Sequence, residues 1–244
     1  MTRGAERLQG AERLRERRAA TDHASARLGG ALALLGGLGA IVVNVFHPRT
    51  PAETEALLEL VATTPHWTIL HFAAAVASVL AVAGIALLVR TLHAPGARAL
   101  GEAGKYVTVL GAGTFLVAIM VDGVGYPAFT QAWLAGRGNE ATIALAAASA
   151  LHAVDLALFP VWSGLYLGLG VLLVAAALGR GGTTPPVVAA IGILGAAMSL
   201  AYAASGVADV RLPLPLWPWG PALVALWMTL VGAIVLFTSA RTHA

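Results

Sequence analysis

Cysteine is absent from the 244 residues, and charge is scarce, with 11% of positions Asp, Glu, Lys or Arg. The first absence excludes disulfides, thiolate metal sites and cysteine nucleophiles. The second excludes an ordinary soluble domain, whose water-facing surface carries roughly 25% charged residues. Also missing is the short-period alternation of apolar and polar residues that marks membrane β-barrel strands. Motifs for nucleotide binding, serine hydrolysis and nucleic-acid recognition are absent as well, as are HExxH, HxxxH and any dense histidine box. What the chain has instead is a 58% hydrophobic share gathered into long runs. That composition predicts an all-α, polytopic integral membrane protein built as a helical bundle.

The net charge of +3 is unevenly placed: seven of the fifteen Lys and Arg residues fall within the first 27 positions. This clustering fits a cytoplasmic flank obeying the positive-inside rule and gives no reason to expect a nucleic-acid partner. Residues 1–27 repeat GAERL at 4–8 and 10–14, which predicts a basic amphipathic helix on the membrane surface. No small-residue cleavage site follows the first apolar run, so that run is expected to be a retained helix.

Residues 28–240 form the expected membrane domain, with six spans at 29–46, 67–89, 106–125, 156–179, 187–206 and 219–239. Each has about the 20 residues that cross roughly 30 Å of hydrocarbon. The apolar stretch 141–179 contains Pro160, which is expected to break it into a stub at 141–155 and a crossing helix. With both termini inside, Lys and Arg divide twelve to three between the two sides, which predicts an N-in, C-in topology. Trp67, Trp133, Trp217 and Trp219 then fall at the outer interface. The outer connections 47–66 and 126–155 are long, and each contains an amphipathic piece, at 53–64 and 129–136, expected to form a short outer helix. The localisation expected is a multi-pass protein of a bacterial inner membrane in contact with membrane lipids. The segment HPRTP…PHWTILH resembles stretches of uncharacterised bacterial membrane proteins and implies no activity.

Ionisable groups inside hydrocarbon are functional candidates, because an unpartnered polar group there costs several kcal/mol. At a rise of about 1.5 Å per residue, His47, His71 and Asp122 come to roughly 25–28 Å from the cytoplasmic face, and His66, Asp155 and Asp209 to roughly 35 Å. His152 stands slightly higher. All seven therefore fall in one layer at the outer boundary. Helical spacing groups His152, Asp155, Phe159, Trp162 and Tyr166 on one face, Tyr202, Ser205 and Asp209 on a second, and Trp67, His71, Ala74 and Ser78 on a third. These three faces are expected to line one cavity open to the outside.

Two chemistries follow. In the first, no cofactor is needed: Asp122, Asp155, His71 and His152 perform acid–base catalysis on an apolar small molecule, lipid-like or isoprenoid. Trp67, Tyr126, Phe159, Trp162, Tyr166, Tyr202 and Asp209 would bind the substrate, and the aromatic faces would stabilise positive charge in an isomerisation, cyclisation or hydration. In the second, His71 and His152 are metal ligands, either axial to a haem b or joined by His47, Asp122 or Asp155 around copper or zinc. A non-catalytic structural subunit is the third reading. Gly164 and Gly168 form a GxxxG pair, which suits close helix packing or a homodimer. A weak internal parallel also stands out: His47-Pro48 precedes His71 by 24 residues, and Tyr126-Pro127 precedes His152 by 26.

Overall fold

The computed structural model describes residues 3–208, 210 and 216–241, and among these the regular secondary structure is all helix, with no strand. The elements are α1 (Arg3–Phe46), α2 (Thr54–Thr63), α3 (Trp67–Arg90), α4 (Pro95–Met120), a π-helical turn π1 (Val121–Gly125) and α5 (Tyr126–Ala135). They continue with α6 (Asn139–Trp162), a second π-helical segment π2 (Ser163–Gly170), α7 (Val171–Arg180), α8 (Pro186–Val207) and α9 (Leu216–Arg241). Proline at the first turn of α4, α5 and α8 is favourable, since its missing N–H has no helical partner there and its φ is already helical.

Six helical stretches are long and apolar enough to cross a membrane: Ala20–Phe46, Trp67–Arg90, Pro95–Ala135, Asn139–Arg180, Pro186–Val207 and Pro218–Thr238. The expectation of a six-span helical bundle is met. The two amphipathic pieces are helices, α2 and α5.

α1 lies along α3 on one side and α9 on the other. Small residues make this possible: a Cβ on Gly36 would stand 2.5 Å from the backbone nitrogen of Ala81, and one on Gly37 would stand 2.7 Å from that of Thr229. Close backbone approach of this kind replaces the hydrophobic drive that helices lack inside lipid. The main core gathers Ile85, Leu88 and Val89 of α3, Val171, Val174 and Leu178 of α7, and Trp227, Met228 and Val231 of α9. A second, smaller cluster lies at the end of the bundle where α1 finishes. There Leu57 and Val61 of α2 pack on Trp67 and Tyr126.

Several expectations take a different form. Arg3–Phe46 is one continuous helix, with no break between the basic segment and the first span. Pro160 does not end its helix. Asn139–Arg180 runs unbroken through 42 residues, roughly 63 Å, and the chain passes from α6 into the wider π2 just beyond the proline. Wide turns of this type commonly absorb a missing helical hydrogen bond. The Gly164/Gly168 pair is used within the chain, against Ala203 and Leu200 of α8. Asp209, Arg211 and the side chain of Trp217 lie outside the described residues.

Candidate metal centre

Four elements converge at the end of the bundle capped by α2. His47 follows α1 directly, His71 lies on the second turn of α3, Asp122 on π1 and Asp155 on α6. The Nε2 atoms of His47 and His71 are 3.2 Å apart, and His71 Nε2 is 3.0 Å from Asp122 Oδ2. One ligand atom from each of these three residues lies within 4.8 Å of the other two. Asp155 joins at longer range, through its Coulomb interaction with Asp122 and His71.

The backbone dictates which ring nitrogens face one another. His71 Nδ1 lies 2.7 Å from the carbonyl oxygen of Trp67, one turn back on α3, and His47 Nδ1 lies 2.7 Å from that of Pro48. A carbonyl oxygen only accepts, so in each ring Nδ1–H is the donor. In the neutral imidazole Nε2 then carries a bare lone pair. With both rings neutral, the two Nε2 atoms and the Asp122 carboxylate converge as three acceptors. Burial, and then the adjacent His71, hold the His47 imidazole below the ordinary histidine pKa, which favours its neutral form. Asp122 Oδ1 is buried without a hydrogen-bond partner.

Asp122 is presented by an irregularity in its own helix. In π1 the Tyr126 N–H bonds back to the Val121 carbonyl, one residue further than in an α-helix. The Asp122 carbonyl thereby loses its usual donor, and Pro127, which has no N–H, leaves the Gly123 carbonyl free as well. Both oxygens are taken by α3: Trp67 Nε1 donates to Asp122 O at 2.8 Å, and Thr68 Oγ1 donates to Gly123 O at 2.9 Å. Gly123 permits this contact, since a Cβ there would stand 2.5 Å from the Cβ of His71. The indole of Trp67 also lies 4.7 Å from the ring of His71 and 5.4 Å from that of His47, centroid to centroid.

His152 stands apart from this cluster. Tyr126 OH donates to its Nδ1 at 2.9 Å, and its Nε2–H donates to the Ala52 carbonyl at 3.2 Å. Both ring nitrogens are used, so the expected pairing of His71 and His152 as axial haem ligands finds no free nitrogen on His152. The pair instead ties α5 and α6 to the segment that leads into α2. The weak sequence parallel thus has a structural counterpart: in both hairpins the side chain of the residue before the proline meets the later histidine.

Among the described residues the aromatic stripe packs into the bundle. Trp162 and Tyr166 are buried, and Phe115 of α4 packs between them with ring centroids at 4.8 and 5.9 Å. Phe159 stacks edge-on with Trp162 and Tyr202 at 4.9 and 5.6 Å. These π faces are occupied by one another. Two open grooves beside α5, of about 440 and 620 Å³, are lined mainly by apolar residues, and neither includes an imidazole. Ser205 donates to the Tyr202 carbonyl at 2.7 Å, and His66 is exposed. Trp67 is buried rather than an interface anchor.

Sequence reasoning missed three contributors: Thr68, Gly123 and the Trp67 carbonyl. Pro127 four residues after Gly123 was the available sign that a helical carbonyl would be freed there. The geometry thus defines a multi-pass membrane-helical protein with a His/Asp cluster at one end. Comparison of the chain with known protein families, with characterised proteins and with solved structures returns no match.

Proposed function

We propose that this chain is a membrane metalloprotein in which His47 Nε2, His71 Nε2 and the Asp122 carboxylate bind one divalent transition ion, zinc or ferrous iron. One observation carries the reading: two imidazole Nε2 atoms stand 3.2 Å apart with a carboxylate oxygen 3.0 Å from one of them, while each ring's Nδ1 is taken by a backbone carbonyl. Bare lone pairs at that separation repel unless a cation lies between them. Ligands about 2.0–2.1 Å from a zinc ion stand roughly 3.3 Å apart at tetrahedral angles, close to both distances. Anchoring of each Nδ1–H to a carbonyl is what orients metal-bound histidines generally. Two nitrogens and one oxygen without thiolate suit zinc and ferrous iron, and three protein ligands leave a coordination position open for chemistry.

The test is elemental analysis of detergent-purified protein. About one equivalent of zinc or iron is expected, removable by chelation and restored on adding metal. His71→Ala and Asp122→Asn each lower the content to a small fraction, while His152→Ala retains it. A folded protein that binds neither ion defeats the proposal.

The cofactor-free alternative is supported by one observation, the 3.0 Å approach of His71 to Asp122. In that reading a proton on His71 Nε2 is the cation, the His71–Asp122 ion pair is the acid–base element, and a lipid-like or isoprenoid molecule is the substrate. It predicts catalysis that survives exhaustive chelation.

A further inference from the structure

The three ligands of the proposed centre are not equally free to move. His71 is 2% exposed. It and Asp122 ride on the membrane-crossing stretches Trp67–Arg90 and Pro95–Ala135. His47 stands just past the end of the first crossing stretch, on the segment that leads into α2. α2 is seated from one side: Leu57 and Leu58 are fully buried, and Leu57 and Val61 pack on Trp67 and Tyr126, while Glu55 and Glu59 are exposed. It has ten residues and no side-chain cap at its N-terminus, and a helix that short has little stability of its own. Metal exchange at a ligand as buried as His71 requires a movement. The piece that can lift without parting two crossing helices is 48–63, with His47 at its root.

Two side chains fasten that piece down. His152 Nε2–H donates to the Ala52 carbonyl at 3.2 Å, across 100 positions of sequence. The bond requires the proton on Nε2, and Tyr126 OH, donating to Nδ1 at 2.9 Å, selects that tautomer. Tyr126 is fully buried and directly follows π1, the turn that carries Asp122. The Pro48 carbonyl that holds the His47 Nδ1–H belongs to the fastened segment. Building on the metal reading above, we infer that the Tyr126–His152 pair is a latch: it holds the segment 48–53 in place, keeps His47 on the ion, and sets the rate at which a divalent ion enters and leaves. His152 is a positioning residue and touches no ion itself. When its bond to Ala52 opens, α2 lifts and His47 moves off with the segment, leaving the ion on His71 and Asp122 and open to exchange. Segments that gate a site are drawn from the low-stability end of a fold.

The experiment follows metal release from the full chain in nanodiscs, loaded with zinc or with cobalt as its visible substitute and mixed rapidly with excess EDTA. The parent and His152→Ala should hold the same metal content, with release from the variant faster by about fivefold, the factor that one lost hydrogen bond contributes. The visible absorption of bound cobalt should be the same in both, because the closed ligand set is the same. His152→Gln, whose amide can donate to Ala52 and accept from Tyr126, should restore slow release. A Gln variant as fast as the Ala variant would reduce His152 to a packing residue and overturns the latch. A shifted cobalt spectrum in His152→Ala would make His152 a ligand and overturns it too. Bound metal with unaltered release in His152→Ala ends only the latch, whereas protein that takes up no metal ends the metal reading with it.

Discussion

A single indole decides how well the cluster is held. Trp67 Nε1 is the donor for the Asp122 carbonyl, Trp67 O is the acceptor for His71 Nδ1–H, and the ring packs against both histidines. The side chain is 2% exposed, so its bond to Asp122 has no competing water. Trp67→Phe keeps the ring packing and the backbone acceptor but orphans the Asp122 carbonyl. An unsatisfied buried acceptor costs about 1–3 kcal/mol, and outer partners of metal ligands typically contribute 10–100-fold in affinity. Zinc affinity measured by competition with a chromogenic chelator should fall by about that factor, with helicity by circular dichroism unchanged. Unaltered affinity would mean that π1 holds Asp122 without help from α3. At this scale the sequence is partly legible. Counting residues along each span places His47, His71 and Asp122 at one height. Which of them meet depends on rotation about each helix axis and on which ring nitrogen the local backbone claims. Depth alone therefore groups His152 with them, although Tyr126 OH and the Ala52 carbonyl occupy both its nitrogens.

At the scale of elements, the wide turn π1 aims the carboxylate. A π turn holds one more residue than the α turn it replaces, so the helix beyond it is rotated relative to the helix before it. Deleting Val121 should relax π1 toward an α turn and move Asp122 into the position Val121 vacates, about 100° around the axis from its present direction. The carboxylate would then point away from His71 Nε2. We expect metal binding to fall to the level of Asp122→Asn while the bundle still assembles, because the interfaces of α1 with α3 and with α9 do not include π1. A deletion variant that binds metal as the parent does would show that the turn only accommodates Pro127. The same irregularity marks the limit of sequence reading here. Gly123, Gly125 and Pro127 are poor helix formers, so local propensity alone would end the helix here. The chain instead continues as a helix, because freed carbonyls at membrane depth find Trp67 and Thr68 as donors. Apolar segments surrounded by hydrocarbon have few ways to satisfy backbone groups except by remaining helical. Pro160 behaves alike, with π2 following it.

For the whole molecule, six spans were readable because their length and apolarity are set by bilayer thickness, a constraint independent of tertiary detail. Orientation rests on a separate argument, the twelve-to-three division of Lys and Arg, which acts during insertion and leaves no trace in packing. If that division sets the orientation, the His/Asp cluster and α2 lie on the extracytoplasmic side, and the proposed metal would reach the centre without crossing the bilayer. The chain suits a direct test, because it contains no cysteine and each introduced thiol is the sole target. Arg137 lies in the turn between α5 and α6, at the cluster end, and Thr183 lies in the turn between α7 and α8, at the opposite end. In intact cells a membrane-impermeant maleimide should label Arg137→Cys and not Thr183→Cys, and permeabilisation should equalise the two. The reverse pattern would place the cluster on the cytoplasmic side. It would also remove the charge-bias argument, because Arg137 is one of only three basic residues assigned to the outside, whereas the loops flanking Thr183 and Arg98 belong to the majority set.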